Sequence, residues 1–451
     1  MTRLIVFLAS LFGIASSFSV VDNAPNGFTV AIGRTVLLKH TKDSPIFYIG
    51  KGDLEITENS GNFAFDDKIY ARIPLSGYKL SRFGTTWTVV LTEGNATATL
   101  QLSATGDKDL EVSVSSVSAG YTHHWFRVVA EIDEEIYGAG EQFSFLNLRE
   151  RREYVKNVFP IWINEQGVGR NKRTLTTFMA DGQENAGGDY YTTYYAQPTF
   201  LSNRNYFCHH EGTNYAVLDF SDDNFHEVFI YKQPGKFTFQ VADNLTSTVQ
   251  AVSNFLGHMP ELPDWIQEGV IVAVQGGTNR MKEKYEIGKK FQVPISGVWI
   301  QDWSGQKHTP FGNRVFWNWE WNKDHYPGLN QTIKDWAKEG VRILGYINPN
   351  LDSTGDLFKE AASKGFLVKN RTGGVYLRRS LSLIFGQVDM TNPAAYGWYK
   401  DVIKNNMIDL GLGGWMADFG EYLAVDAVLH DGRTGLEAHN EWPVLWAKMN
   451  R

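Results

Sequence analysis

"GVIVAVQGGTNRMKEKYEIGKKFQVPISGVWIQDW", Gly269 to Trp303, holds the reading that decides the fold. Two near-continuous apolar runs, Gly269–Val274 and Ile295–Ile300, flank a charged, helix-like stretch. Strands buried on both faces read as unbroken apolar runs rather than as alternation. A helix between two such strands makes them parallel, because the crossover needs a dozen or more residues. The pattern recurs downstream. "VRILGYI" (Val341–Ile347) and "LGLGGWMA" (Leu410–Ala417) are apolar, and "NQTIKDWAKEG" (Asn330–Gly340) and "AAYGWYKDVIKNNMIDLG" (Ala394–Gly411) read as helices. "VQGGTN" after the first run lacks the G-x-G-x-x-G spacing of a dinucleotide fold, which favours a barrel over a doubly wound sheet.

Upstream of about residue 250 the period shortens to two. "TTWTVVL" (Thr85–Leu91), "ATATLQLS" (Ala96–Ser103), "LEVSVSS" (Leu110–Ser116), "AVLDF" (Ala216–Phe220) and "FTFQVA" (Phe237–Ala242) alternate and are broken by Gly, Asn and Asp. That is the pattern of an antiparallel sandwich. "STVQAVSNFLGHM" (Ser247–Met259) predicts a helix stopped by "PELPDW". The expected organisation is a leader at 1–17, a β-sandwich at 18–250 and part of a (β/α)8 barrel at 251–451.

The leader rests on "MTRLIVFLASLFGIASSFSV". Arg3 precedes an apolar run from Leu4 to Ala15, and small residues Ala15 and Ser17 follow, so Met1–Ser17 reads as a cleaved signal peptide. The run is too short for a membrane span. Sequons at Asn95, Asn244, Asn330 and Asn370 fit a secreted or lumenal glycoprotein. Cys208 is the single cysteine, so no disulfide forms within the chain. A net charge of −7 argues against nucleic acid as the partner. Aromatics at 14% suit sugar-packing clefts as well as plain cores. His123–His124 and His209–His210 lack zinc-type spacing, so neither metal nor cofactor is expected. "RERR" (Arg149–Arg152) reads as a solvated or ion-paired patch.

Each downstream apolar run ends on polar groups: Gln275; Gln301, Asp302 and Trp303; Asn348; Asp418. In a β/α barrel, the C-terminal strand ends carry the chemistry. A carboxylate there is aimed into a pocket, although Asp418 also suits a helix N-cap. Asp302 suits a sugar hydroxyl or a turn cap, and Glu421 an orienting group or a helix start.

"GGWMADFGEYL" (Gly413–Leu423) resembles the nucleophile segment of glycoside hydrolase family 31, W-x-x-D-x-x-E, and "IYGAGEQFSFLNLR" (Ile136–Arg149) resembles that family's loop from its N-terminal sandwich. "QPTF" and "GGDYY" (Gly187–Tyr191) look like segments of its sulfoquinovosidase branch. The resemblance implies a mutarotase-like sandwich, a (β/α)8 barrel and C-terminal β domains. It implies a retaining α-glycosidase acting on α-sulfoquinovosides, with Asp418 as nucleophile and a separate Asp as acid/base. It makes Gln275, Gln301, Arg314 and Trp317 readers of sugar and sulfonate, with Asp302 and Trp415 as further substrate contacts. Arg offers a fixed, always-charged fork for such an anion, and Trp an N–H and an apolar wall. Arg314 and Trp317 are three apart and would share a face on a helical turn. A neutral α-glucosidase or α-xylosidase, or a non-catalytic sugar-binding homologue, is the alternative. The family's acid/base Asp and C-terminal domains have no match up to Arg451, so the chain alone is expected not to turn over glycosides.

Overall fold

A computed structural model describes residues 17–59, 62–150, 157–165, 188–309, 312–380 and 383–451. The leader, apart from Ser17, lies outside the described residues, as do Arg151, Arg152 and Gly187.

The N-terminal half is built of antiparallel sheets. One has six strands in the order Val158–Ile161, Ala216–Asp219, Phe225–Tyr231, His123–Val129, Phe47–Asn59, Asn62–Pro74. The other has eight and ends on the meander Asp109–Val117, Ala96–Ser103, Thr86–Glu93, Gly77–Phe83. Ala96–Ser103 shows why: Ala96, Ala98, Leu100 and Leu102 point inward and are buried, with Thr and Gln between them. Burial at a period of two leaves one sheet face for the core. Inward residues of both sheets meet there, as where Phe126 stacks on Phe237 with ring centroids 4.2 Å apart. Cys208 lies in this core. Glu134 is buried at its edge, accepting from Ser202 (2.5 Å) and Tyr206 (2.9 Å), with His226 Nε2 at 3.2 Å and Arg204 at 3.4 Å.

The linking helix Leu245–Leu256 starts at Asn244, whose side chain accepts from Ser247 N (2.9 Å). It stops at Gly257, before the prolines expected to stop it, because Gly257 takes a left-handed φ of 92°.

The C-terminal half is a parallel sheet in the order Val270–Val274, Ile295–Ile300, Arg342–Ile347, Trp415–Ala417. Helices Gly277–Lys290, Leu329–Lys338 and Pro393–Ile403 run between these strands. A small antiparallel sheet, Asn350–Asp352, Leu383–Gln387 and Arg378–Ser380, is inserted between the third and fourth. The expectation of burial on both faces holds for the inner strands and fails at the edges. Ile300 and Ile347 are fully buried, but Val270, Ile271 and Met416 are 46%, 42% and 45% exposed. Edge strands have a neighbour on one side only among the described residues. The "LGLGG" part of the last run is a turn, with Gly411 at φ 98°, and only Trp415–Ala417 is strand.

The two halves grip each other around the segment after Asp418. His439 sits between the carbonyls of Leu423 (2.9 Å) and Ile163 (2.7 Å), and its ring stacks on Trp162 at 4.0 Å. Arg378 reaches both Glu58 and the Tyr422 carbonyl, and Tyr422 donates to Glu165 (2.8 Å). The chain that follows the fourth strand is therefore held from both sides.

Candidate active site

Asp418 is the residue after the fourth barrel strand. Its N–H donates to the Ile347 carbonyl (2.9 Å), and its own carbonyl accepts from Trp446 Nε1 (3.0 Å). The backbone then turns sharply through Phe419 (φ 59°) and Gly420 (φ 154°), which keeps Asp418 at the strand end rather than in a helix. No helix begins there, so the N-cap alternative does not apply. Its Oδ2 accepts from the Tyr346 hydroxyl at 2.5 Å. Tyr346 is almost fully buried on the neighbouring strand. Burial and the Asp418 carboxylate push its hydroxyl far above the usual range, so it stays a donor. Asn348 holds it from the other side (3.3 Å), and Asn348 is itself fixed by Asn350 N (2.9 Å) and the Tyr399 hydroxyl (2.6 Å). One carboxylate oxygen is thereby occupied and the carboxyl plane set.

Asp418 opens on a cavity of about 330 Å³. Ligand pockets run from roughly 300 to 1,000 Å³, so this one fits a single sugar ring. Gln275, Gln301, Arg314 and Trp317 line it with Asp418. Tyr346, Asn350, Phe385, Phe419 and Tyr422 complete much of the wall. Gln275 Nε2 donates to Gln301 Oε1, which joins the ends of the first two strands. Trp317 packs edge-on against Phe385 (4.9 Å) and Phe419 (5.8 Å). Arg314 is half-buried, and among the described residues it has no carboxylate partner. The helical turn expected for Arg314 and Trp317 is absent. Arg314 lies on the hairpin strand Gly312–Val315, paired with Gln306–Thr309, and Trp317 follows in a loop. Gly312 at φ 100° closes the hairpin, and the chain turns back instead of coiling.

Two expected contacts are not in the cavity lining. Trp415 is directed to the outer helix, donating to Asn450 Oδ1 (2.9 Å). Asp302 is fully buried and accepts four hydrogen bonds: from Gly276 N (2.8 Å), Gln306 Nε2 (2.6 Å), His325 Nε2 (2.7 Å) and the Tyr326 hydroxyl (2.6 Å). Three of these donors fall on Oδ2 and Tyr326 on Oδ1, and the full burial of the carboxylate keeps it out of reach of a sugar in the cavity. Sequence reasoning missed Tyr346. Its signal is indirect: it precedes Asn348 by two and so shares that residue's side of the strand.

Glu421, three residues past Asp418, is buried beside Glu165 of the sandwich half. Burial, with Glu165 and Asp418 acting in the same direction, raises its carboxyl to about 8. Both effects favour the protonated form of Glu421. It is not a helix-start residue, since no helix starts within its segment.

The chain is similar to known proteins over most of its length. Residues 271–451 match the description "Glycosyl hydrolases family 31 TIM-barrel domain". The chain is 43% identical over 426 residues to a sulfoquinovosidase of Escherichia coli K12, covering 94% of this chain and 62% of that protein. It is 40% identical over 430 residues to one of Agrobacterium fabrum, covering 95% and 63%. A solved family 31 sulfoquinovosidase from E. rectale superposes with a TM-score of 0.89 at 37% identity, covering 96% of this chain and 63% of that one. The chain thus spans 62–63% of the length of these relatives. Its residues 271–451, set behind a β-sandwich, match the TIM-barrel domain of the family 31 glycosyl hydrolases.

Proposed function

We propose that the protein hydrolyses α-glycosides of a glucose bearing a 6-sulfonate, with retention of configuration. The observation that carries this is the joint presence of Asp418, Gln275, Gln301, Arg314 and Trp317 around one cavity of single-sugar size. In the proposed mechanism, the free oxygen of Asp418 attacks the anomeric carbon as the glycosidic bond breaks. A second carboxylic acid protonates the departing oxygen, and no described residue is assigned that role. Water then releases the sugar from Asp418. Tyr346 keeps the carboxylate aimed.

The sulfonate is a permanent anion with three acceptor oxygens. An Arg without a carboxylate partner among the described residues, two amides and an indole N–H form a donor set suited to it. A neutral glucose or xylose would leave the Arg314 charge unmatched, which argues against the α-glucosidase and α-xylosidase readings. Parallel assays of the natural protein on para-nitrophenyl α-sulfoquinovoside and α-glucoside test this. A sulfoquinovoside preference of at least a hundredfold in kcat/KM is expected. Equal rates, or faster glucoside cleavage, would overturn the anion reading, and no turnover of either would favour a sugar-binding homologue. The Met1–Ser17 leader supports a secreted or lumenal location, and the sequons support glycosylation there. N-terminal sequencing and intact mass of the natural protein test both.

A further inference from the structure

Asp302 falls outside the cavity, yet it adjoins Gln301, and two of its donors stand beside other readers, Gly276 next to Gln275 and Gln306 on the strand paired with that of Arg314. Gly276, whose N–H it accepts, follows Gln275 directly and takes a left-handed φ of 112° at the N-terminus of the helix Gly277–Lys290. Asp302 itself follows Gln301. Gln306, bonded through Nε2 to Asp302, sits on the hairpin strand paired with the Arg314 strand. Gln306 Oε1 in turn accepts from Asn313 Nδ2 (3.0 Å), and Asn313 is the residue before Arg314. His325 and Tyr326 close the group from below, and Tyr326 is fully buried.

We propose that Asp302 is a positioning residue for sulfonate recognition, a buried carboxylate that braces Gln275, Gln301 and the Arg314 hairpin into one fixed donor array. The proposal rests on the reading that Arg314 and the two glutamines bind the sulfonate. Its physical basis is preorganisation. Arg314 is on a two-stranded hairpin, and a lone hairpin is marginally stable in water. Lys307, directly opposite Arg314 in the register, puts a second cation on the same hairpin face. Like charges placed directly opposite destabilise a strand pair. Asp352 takes up Lys307 with both oxygens (2.9 and 2.8 Å) and ties the hairpin on that side, while the Gln306–Asp302 bond ties it to the strand end that carries Gln301. A reader held loosely by an ångström loses most of its binding advantage. The buried charge of Asp302 is offset by four donors and the start of a helix, so it is stable without a substrate.

The test compares Asp302→Asn, Gln306→Ala and Arg314→Ala in the intact natural protein, alone and in the Asp302→Asn/Arg314→Ala pair. Asp302→Asn keeps the size but turns an N–H2 toward a ring of donors. It should lower kcat/KM on the sulfoquinovoside about ten- to hundredfold, mainly through KM, and lower glucoside cleavage much less. Gln306→Ala cuts only the hairpin arm and should give the same pattern at smaller size; it decides the matter if Asp302→Asn does not fold. In the double variant the losses should fall short of their product by at least fivefold, since a displaced Arg314 has little left to lose. Multiplicative losses, or equal losses on both substrates for Asp302→Asn and Gln306→Ala while Arg314→Ala stays selective, would overturn the brace. A non-selective Arg314→Ala would instead overturn the sulfonate reading on which the brace depends.

Discussion

Two aspartates stand just past the ends of the second and fourth barrel strands, and they do opposite things. Asp302, beyond Ile295–Ile300, is fully buried and surrounded by four donors. Asp418, beyond Trp415–Ala417, has one side-chain donor, Tyr346, and otherwise faces the cavity. Locally the two sequences look alike: an apolar run, then a carboxylate. The difference lies in what arrives from elsewhere in the chain. Gln306, His325 and Tyr326 converge on Asp302, whereas at Asp418 the buried hydroxyl of the adjacent strand is the only side chain that docks among the described residues. A fully buried carboxylate ringed by donors organises structure; one that opens on a cavity is available for chemistry.

The contrast can be broken at several points. Asp418→Asn should have the largest effect, a loss of roughly 10⁴-fold or more in kcat, because a nucleophile is removed rather than weakened. Its melting temperature should be nearly unchanged, since the fold does not saturate that carboxylate. Steady-state kinetics and calorimetry on the same preparation check both, and retained turnover would return Asp418 to a structural role. Arg314→Ala should come next. Hydrogen bonds to charged groups contribute about 1.5–3 kcal/mol, so sulfoquinovoside kcat/KM should fall about ten- to hundredfold. Tyr346→Phe removes one hydrogen bond to the nucleophile and keeps the ring, so a loss of about tenfold, mostly in kcat, is expected. A change in KM alone would show that Tyr346 shapes the cavity wall instead.

A second pair of buried acids sharpens the same lesson through pH. Burial works against ionised Glu134 in the sandwich, but His226, Ser202 and the Glu131 backbone outweigh it and hold the carboxyl at about 2. Burial prevails at Glu421, which is raised to about 8. For Glu421 the folded value lies above the ordinary 4.5, so its contribution to stability is complete below 4.5 and is lost as pH rises towards 8. Glu134 runs the other way: its contribution is present above 4.5 and is lost as pH falls towards 2. Glu421→Gln cannot ionise and should flatten the decline between pH 4.5 and 8 in urea titrations, with the smallest effect of the set on turnover at neutral pH. An unchanged pH slope in that variant would mean that Glu421 is already ionised in the fold.

Much of the architecture was legible in the chain because burial imposes a period. Ile295–Ile300 and Ala96–Ser103 match the quoted runs residue for residue, one unbroken and one alternating. The parts where structure departs from pattern share a cause: distant contacts, not the local sequence, decide them. "LGLGG" looked like strand interior and is a turn. The three-residue spacing of Arg314 and Trp317 looked helical, but a hairpin carries Arg314, and both residues still reach the cavity. Asp302 looked available to a substrate because nothing near it in sequence announces His325 and Tyr326 as its partners. Likewise Glu165 meets Tyr422 across 257 positions of chain, a pairing no window of sequence contains.

The central claim is that Asp418 is the attacking group, and covalent trapping tests it most directly. The natural protein is incubated with a fluorinated, activated sulfoquinovoside whose glycosyl-enzyme turns over slowly, then digested and sequenced by mass spectrometry. One sugar adduct is expected, on Asp418, within the peptide that contains Gly413–Leu423. An adduct on another carboxylate, or turnover with an inverted product and no adduct, would contradict it.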